Sequence, residues 1–103
     1  MSGLPSDVIE TIRGVFIKYP QIDKVLLYGS RAKGCEKRGS DIDLCIFSPF
    51  LTEDVLYEIR EELEDLPFPY VFDLSVYNQI ENKELINHIN RVGVIFYKNE
   101  TLS

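Results

Sequence analysis

YGSRAKGCEKRGSDIDLCIF, residues 28–47, is the stretch on which the fold and the chemistry turn. It sets a Gly-Ser pair and two aspartates on either side of a short, strongly basic loop. The second aspartate runs directly into the apolar sequence Leu44-Cys45-Ile46-Phe47. A solvated loop accounts for the lysines but not for carboxylates pressed against an apolar strand. Asp41 and Asp43 are one residue apart where a strand begins, and side chains alternate along a strand. Both carboxylates therefore leave one face, while Ile42 and Leu44 point to the other. Like charges so close raise each other's pKa unless a cation lies between them. Oxygen-only ligands with open positions suit Mg²⁺, which keeps waters and completes its shell from substrate phosphates. Taken alone, an Asp-x-Asp pair also serves as a solvated turn.

Gly29 and Ser30 supply the complementary half. Glycine lets a bulky ligand approach the backbone. Ser30 is placed to cap one or two helical turns that stop at Gly34, and the free N–H groups of such an end favour an anion. Arg31 and Lys33 are near enough to neutralise phosphate oxygens, although a solvated basic loop fits Lys33 equally. The Walker pattern G-x-x-x-x-G-K-[ST] is absent. Asp73, in Val71-Phe72-Asp73-Leu74-Ser75-Val76, is a charge inside an apolar strand, costly unless paired or coordinating metal. If that strand neighbours the one beginning at Asp41, three carboxylates converge; a salt bridge is the alternative.

Outward from this stretch, the elements alternate. Val8, Ile9, Ile12, Val15 and Phe16 recur at helical spacing, with Asp7 and Glu10 as a capping box and a stop at Tyr19-Pro20. Lys24 to Tyr28 reads as a buried strand, Ile42 to Phe47 as the next, and Tyr70 to Tyr77 as a third. Thr52 opens a helix carrying Val55, Leu56, Ile59, Leu63 and Leu66, closed by Pro67 and Pro69. Asn82 opens another, with Leu85, Ile86 and Ile89 on one side and Gly93 at its end. Val94 to Tyr97 is the last strand, whose Ile95 and Phe96 are interface or core residues and are assigned to the core. The order predicts an α/β (α+β) fold, helices packed on one small mixed sheet, in a single domain over residues 1–103.

Composition narrows the function. Eleven basic and seventeen acidic residues give a net charge of −6, which disfavours an extensive nucleic-acid surface. No apolar run is long enough to span a membrane, and the N-terminus lacks signal-peptide character, so a cytoplasmic location is expected. Cys35 and Cys45 have neither metal nor disulfide spacing, and Cys45 reads as a small core residue. His88 falls in a polar helical stretch with no nucleophile partner and reads as exposed or capping, which weakens any Ser-His-Asp or Cys-His hydrolase.

Gly29-Ser30, ten residues, then Asp41-Ile42-Asp43 resembles the G-S-x10-D-x-D signature of the DNA polymerase β-like nucleotidyltransferase superfamily. The fuller run is similar to its minimal nucleotidyltransferase (MNT) branch, and Asp73 and the closing segment Ile89 to Tyr97 follow in the expected order. The resemblance implies binding of ATP or another NTP with Mg²⁺, two ions in all, and transfer of the nucleoside monophosphate with release of pyrophosphate. By position it implies that Gly29 and Ser30, with Arg31, hold the triphosphate and that Asp41, Asp43 and Asp73 are the catalytic metal ligands. Asp73 would also help activate the acceptor hydroxyl.

Larger relatives cover the site with a helical domain, whereas minimal ones resemble the antitoxin of a pair with a helical HEPN protein. The expected function is therefore transfer of AMP to a hydroxyl of an HEPN-type partner toxin, in a hetero-oligomer. The arginine-then-histidine HEPN nuclease signature is not found ahead of His88, so the chain is not itself the toxin. The alternatives are a non-catalytic antitoxin that acts by occlusion, and transfer to a small-molecule hydroxyl such as an antibiotic.

Overall fold

The computed structural model describes residues 4–29 and 41–100. Its elements are helix α1 (Ser6–Phe16), strands β1 (Lys24–Tyr28) and β2 (Asp41–Phe47), helix α2 (Glu53–Glu64) and strand β3 (Val71–Val76). A 3-10 turn (Tyr77–Gln79), helix α3 (Lys83–Val92) and strand β4 (Val94–Lys98) complete them. The sheet order is β3-β2-β1-β4. β1 is antiparallel to both β2 and β4, and β2 runs parallel to β3. The expected mixed sheet is present, because β2 and β3 are joined by a helix long enough to cross over.

Strand alternation sorts residues onto two faces. Ile42, Leu44 and Ile46 of β2 meet Val25, Leu27, Phe72, Leu74, Val76 and Phe96 in the larger core, under α1 and α2. On the other face Leu26, Tyr28 and Cys45 pack against Ile89, Leu85 and Val92 of α3. The odd-numbered positions of β2 and β3, which include all three aspartates, therefore share the α3 side.

Polar contacts tie these layers together. Arg13 Nε donates to the Phe96 carbonyl at 2.7 Å, linking α1 to β4. Glu62 of α2 accepts from Lys18 and from the Tyr19 hydroxyl just beyond α1. Buried Asn99 donates to the carbonyls of Pro20 and Ile22 at 3.2 and 3.3 Å. Among the described residues no buried side-chain nitrogen or oxygen lacks a partner, and no helix is long and apolar enough to cross a membrane.

Local expectations meet mixed outcomes. The apolar stripe of α1 is buried as its spacing predicts, but Asp7 and Glu10 form no capping box. Pro5 stands at the N-cap without a side-chain bond. The helix thus begins early enough to place Asp7 inside its first turn, where a carboxylate still favours the positive helix end. Glu10 instead pairs with Arg13 at 3.7 Å. α1 ends at Phe16, before Tyr19-Pro20, while Thr52 and Asn82 do cap α2 and α3. The third strand is shorter than Tyr70 to Tyr77, because Tyr77 turns into the 3-10 segment. Phe96 is fully buried, but Ile95 is 50% exposed, since it faces outward on an edge strand.

The Asn82 side chain accepts from the amides of Glu84 and Leu85 at 2.9 and 3.2 Å. Removing it in Asn82→Ala should cost about 1 kcal/mol, lowering the melting temperature by about 4–8 °C for a domain of this size. Circular dichroism melts would measure this.

Candidate functional site

The described candidate residues, Gly29, Asp41, Asp43 and Asp73, lie where β1 ends and β2 and β3 begin. Asp43 of β2 is directly opposite Asp73 of β3 and, on its other side, Tyr28 of β1. Strand spacing puts the Asp43 and Asp73 backbones about 4.8 Å apart. Asp41 lies two residues back on the same face, opposite Val71. The sheet register thus brings together the three aspartates singled out in the sequence. Among the described residues, however, no three His, Cys, Asp or Glu side chains stand together as a metal-binding group.

Exposure grades across them. Asp43 is half-buried, while Asp41 and Asp73 are exposed. Asp73 is therefore not a charge in an apolar interior. β3 is an edge strand whose core-facing side carries Phe72, Leu74 and Val76, leaving Asp73 on the open side. Its location opposite Asp43, rather than a burial penalty, is what distinguishes it.

Gly29 is left-handed, with φ +86°. A Cβ built there would lie 2.3 Å from Asp43 Oδ2. Glycine is thus required twice, by the backbone conformation and by the carboxylate lying against it. This close approach comes from the protein's own side chain, in addition to any ligand. Ser30, Arg31, Lys33 and Cys35, with the helical turn expected from Ser30 to Gly34, lie outside the described residues.

Electrostatics follow the geometry. Burial raises the Asp43 carboxyl above its ordinary value; the charges of Asp73 and then Asp41 push it further, and His88 opposes them. Burial likewise raises the Tyr28 phenol, which a hydrogen bond with Ser75 lowers while Asp73 and Asp43 raise it. Cys45, fully buried beside them, is pushed up to about 12 by burial, so it is an inert thiol.

His88 departs from its sequence reading. It is half-buried and meets the Tyr28 ring edge-on, centroids 6.2 Å apart. Three residues after Leu85 and four before Val92, it adjoins the stripe of α3 that packs on the sheet, and that spacing was the available signal. Tyr28 and Ser75 were also missed. Their signal was position alone: one precedes Gly29, and the other follows Asp73 by two residues on the same face.

A left-handed glycine leaves one strand and paired carboxylates enter the next, within a mixed α/β sheet. The family model for polymerase beta nucleotidyltransferases matches residues 10–102. The chain belongs to that family. Its fold is similar to a chain of a toxin–antitoxin crystal structure with AMP-PNP, with a TM-score of 0.70 and 19% identity, covering 95% of this chain and 77% of that one. A chain of the MntA–HepT toxin–antitoxin structure matches with a TM-score of 0.68 at 15% identity over 94% and 75%. A third match is in the complex of a tri-AMPylated Shewanella oneidensis HEPN toxin with its MNT antitoxin, with a TM-score of 0.61 and 17% identity over 90% and 75%. The curated proteins include no match.

Two outcomes follow from this geometry. Gly29→Ala should displace the Asp43 carboxylate and cost at least about 1 kcal/mol, because alanine resists the left-handed region; chemical denaturation would read the loss. Asp43 binds its proton more tightly in the folded chain than in the unfolded one, so it disfavours folding once ionised. Its penalty develops as pH rises from the ordinary carboxylate range through the raised value. Asp43→Asn should therefore melt above the wild type at pH 7 without added metal. That advantage should shrink as the pH is lowered toward 4.

Proposed function

We propose that the chain is a Mg²⁺-dependent nucleotidyltransferase that moves AMP from ATP to a hydroxyl of an HEPN-type partner protein, as the antitoxin of such a pair. The observation that carries this reading is the placement of Asp43 directly opposite Asp73, with Asp41 on the same face and Gly29 against Asp43. Family membership supplies the reaction class. The similar folds in toxin–antitoxin complexes, one with AMP-PNP and one with an AMPylated HEPN toxin, support the nucleotide and the partner.

The donor set suits the cation. Carboxylate oxygens are the ligands Mg²⁺ prefers, and the upward push on Asp43 by its acidic neighbours is what a bound cation would relieve. Asp41, Asp43 and Asp73 would hold two ions. Once bound, these supply charge neutralisation at the phosphates and lower the pKa of the incoming hydroxyl. By position in the family signature, Gly29, Ser30 and Arg31 would hold the triphosphate, the last two offering a hydroxyl and a guanidinium to its oxygens.

Asp73 takes the acceptor proton as the hydroxyl oxygen attacks the α-phosphorus. The bond to the bridging oxygen breaks, and pyrophosphate leaves. Asp73 sits on an edge strand, open to solvent, so the acceptor can be as large as a protein. Val71, opposite Asp41 and 59% exposed, adds apolar surface at the rim for such a partner.

Incubation with α-labelled ATP, Mg²⁺ and a co-expressed HEPN-type protein should label the partner. Asp41→Asn and Asp43→Asn should each reduce labelling at least about a thousandfold, because metal stabilisation is worth several kcal/mol at about 1.4 kcal/mol per tenfold. Equal labelling by both variants would overturn the catalytic assignment. Undiminished neutralisation of the partner by the double variant would leave occlusion as the antitoxin mechanism, and labelling of a small alcohol instead would redirect the acceptor.

A further inference from the structure

Beneath the carboxylates lies a polar contact that the transfer chemistry above does not use. Tyr28 ends β1 and is 7% exposed. Its hydroxyl lies 3.3 Å from Ser75 Oγ on β3. β2 stands between those two strands, so the phenol reaches over β2 to touch the strand beyond it. The register fixes where it crosses: Tyr28 is opposite Asp43, and Ser75 is opposite Cys45. The ring therefore passes between Asp43 and Cys45, with His88 of α3 edge-on against it. Ser75 follows Asp73 by two residues on the same face of β3.

We propose that Tyr28 is a positioning residue: its phenol, anchored on Ser75 and flanked by His88, ties β3 to β1 across β2 and sets where Asp73 stands relative to Asp43. The proposal rests on the reading of these aspartates as the cation site. β3 needs such a tie because it is an edge strand, with a neighbour on one side only. Asp43, by contrast, sits on an inner strand hydrogen-bonded on both sides. A hydroxyl bridge from the opposite side of β2 restrains the edge strand where the carboxylates must match, and it does so without adding charge to the site.

Mn²⁺ binding to the full chain, followed by the electron paramagnetic resonance of free Mn²⁺, tests this without nucleotide or turnover. Tyr28→Phe keeps the ring and removes the bridge; Ser75→Ala removes it from the other end. Each should weaken Mn²⁺ binding about five- to tenfold, the scale of one hydrogen bond, with a melting temperature close to wild type. The double variant should be no weaker than either single one, because both delete one contact. In the transfer assay kcat should fall and KM for ATP should hold.

Wild-type Mn²⁺ affinity in Tyr28→Phe, while Asp43→Asn loses binding, overturns the positioning role alone. So do additive losses in the double variant, or a lowered melting temperature with unchanged Mn²⁺ affinity. Undiminished Mn²⁺ binding in Asp43→Asn overturns the cation site itself, and the role of Tyr28 with it.

Discussion

The pleat of β2 is the constraint on which the rest depends. Ile42, Leu44 and Ile46 are fully buried in the main core, and a slip of one residue would exchange them for Asp41, Asp43 and Cys45. The hydrophobic effect thereby fixes the face on which the carboxylates stand. Alternation alone does not place Asp73; the parallel pairing of β2 with β3 does. Two local rules, one about burial and one about register, assemble charges that would otherwise move apart. The repulsion that results is held in place by the apolar packing on the reverse side of the same strands.

Much of this was legible in the sequence. The strand beginning at Asp41, the helix caps Thr52 and Asn82, and the mixed sheet all rest on short-range signals: alternation, capping chemistry and connection length. The family resemblance rests on glycine, serine, spacing and both aspartates matching together. What escaped depends on neighbours distant along the chain. No local pattern distinguishes Asp73 on an open edge from Asp73 in an interior, or Ile95 facing outward from Phe96 beside it. His88 read as a surface residue because it is polar and flanked by Asn87 and Asn90; its environment is set by which side of α3 meets β1. At the other end, α1 begins at Ser6 with Pro5 as its N-cap, so Asp7 lies inside the first turn and not at the capping position.

The two faces of the sheet carry different kinds of order. Under α1 and α2 lies a continuous apolar layer with Phe16 edge-on to Phe96. Under α3 the packing gives way, toward the strand ends that bear the aspartates, to a phenol, a serine, an imidazole and a thiol. The smaller apolar cluster of Leu26, Tyr28, Cys45 and Ile89 thus lies on the same face of the sheet as the aspartates.

The contact between Gly29 and Asp43 also has an evolutionary consequence. So long as a carboxylate occupies position 43, any side chain at position 29 collides with it and must also tolerate a left-handed backbone. In a descendant whose Asp43 had shortened to serine or alanine, the collision would vanish and the dihedral requirement alone would persist. Asparagine, which visits that region at modest cost, would then become admissible. A lineage that has abandoned the carboxylate should betray itself by drift at the glycine.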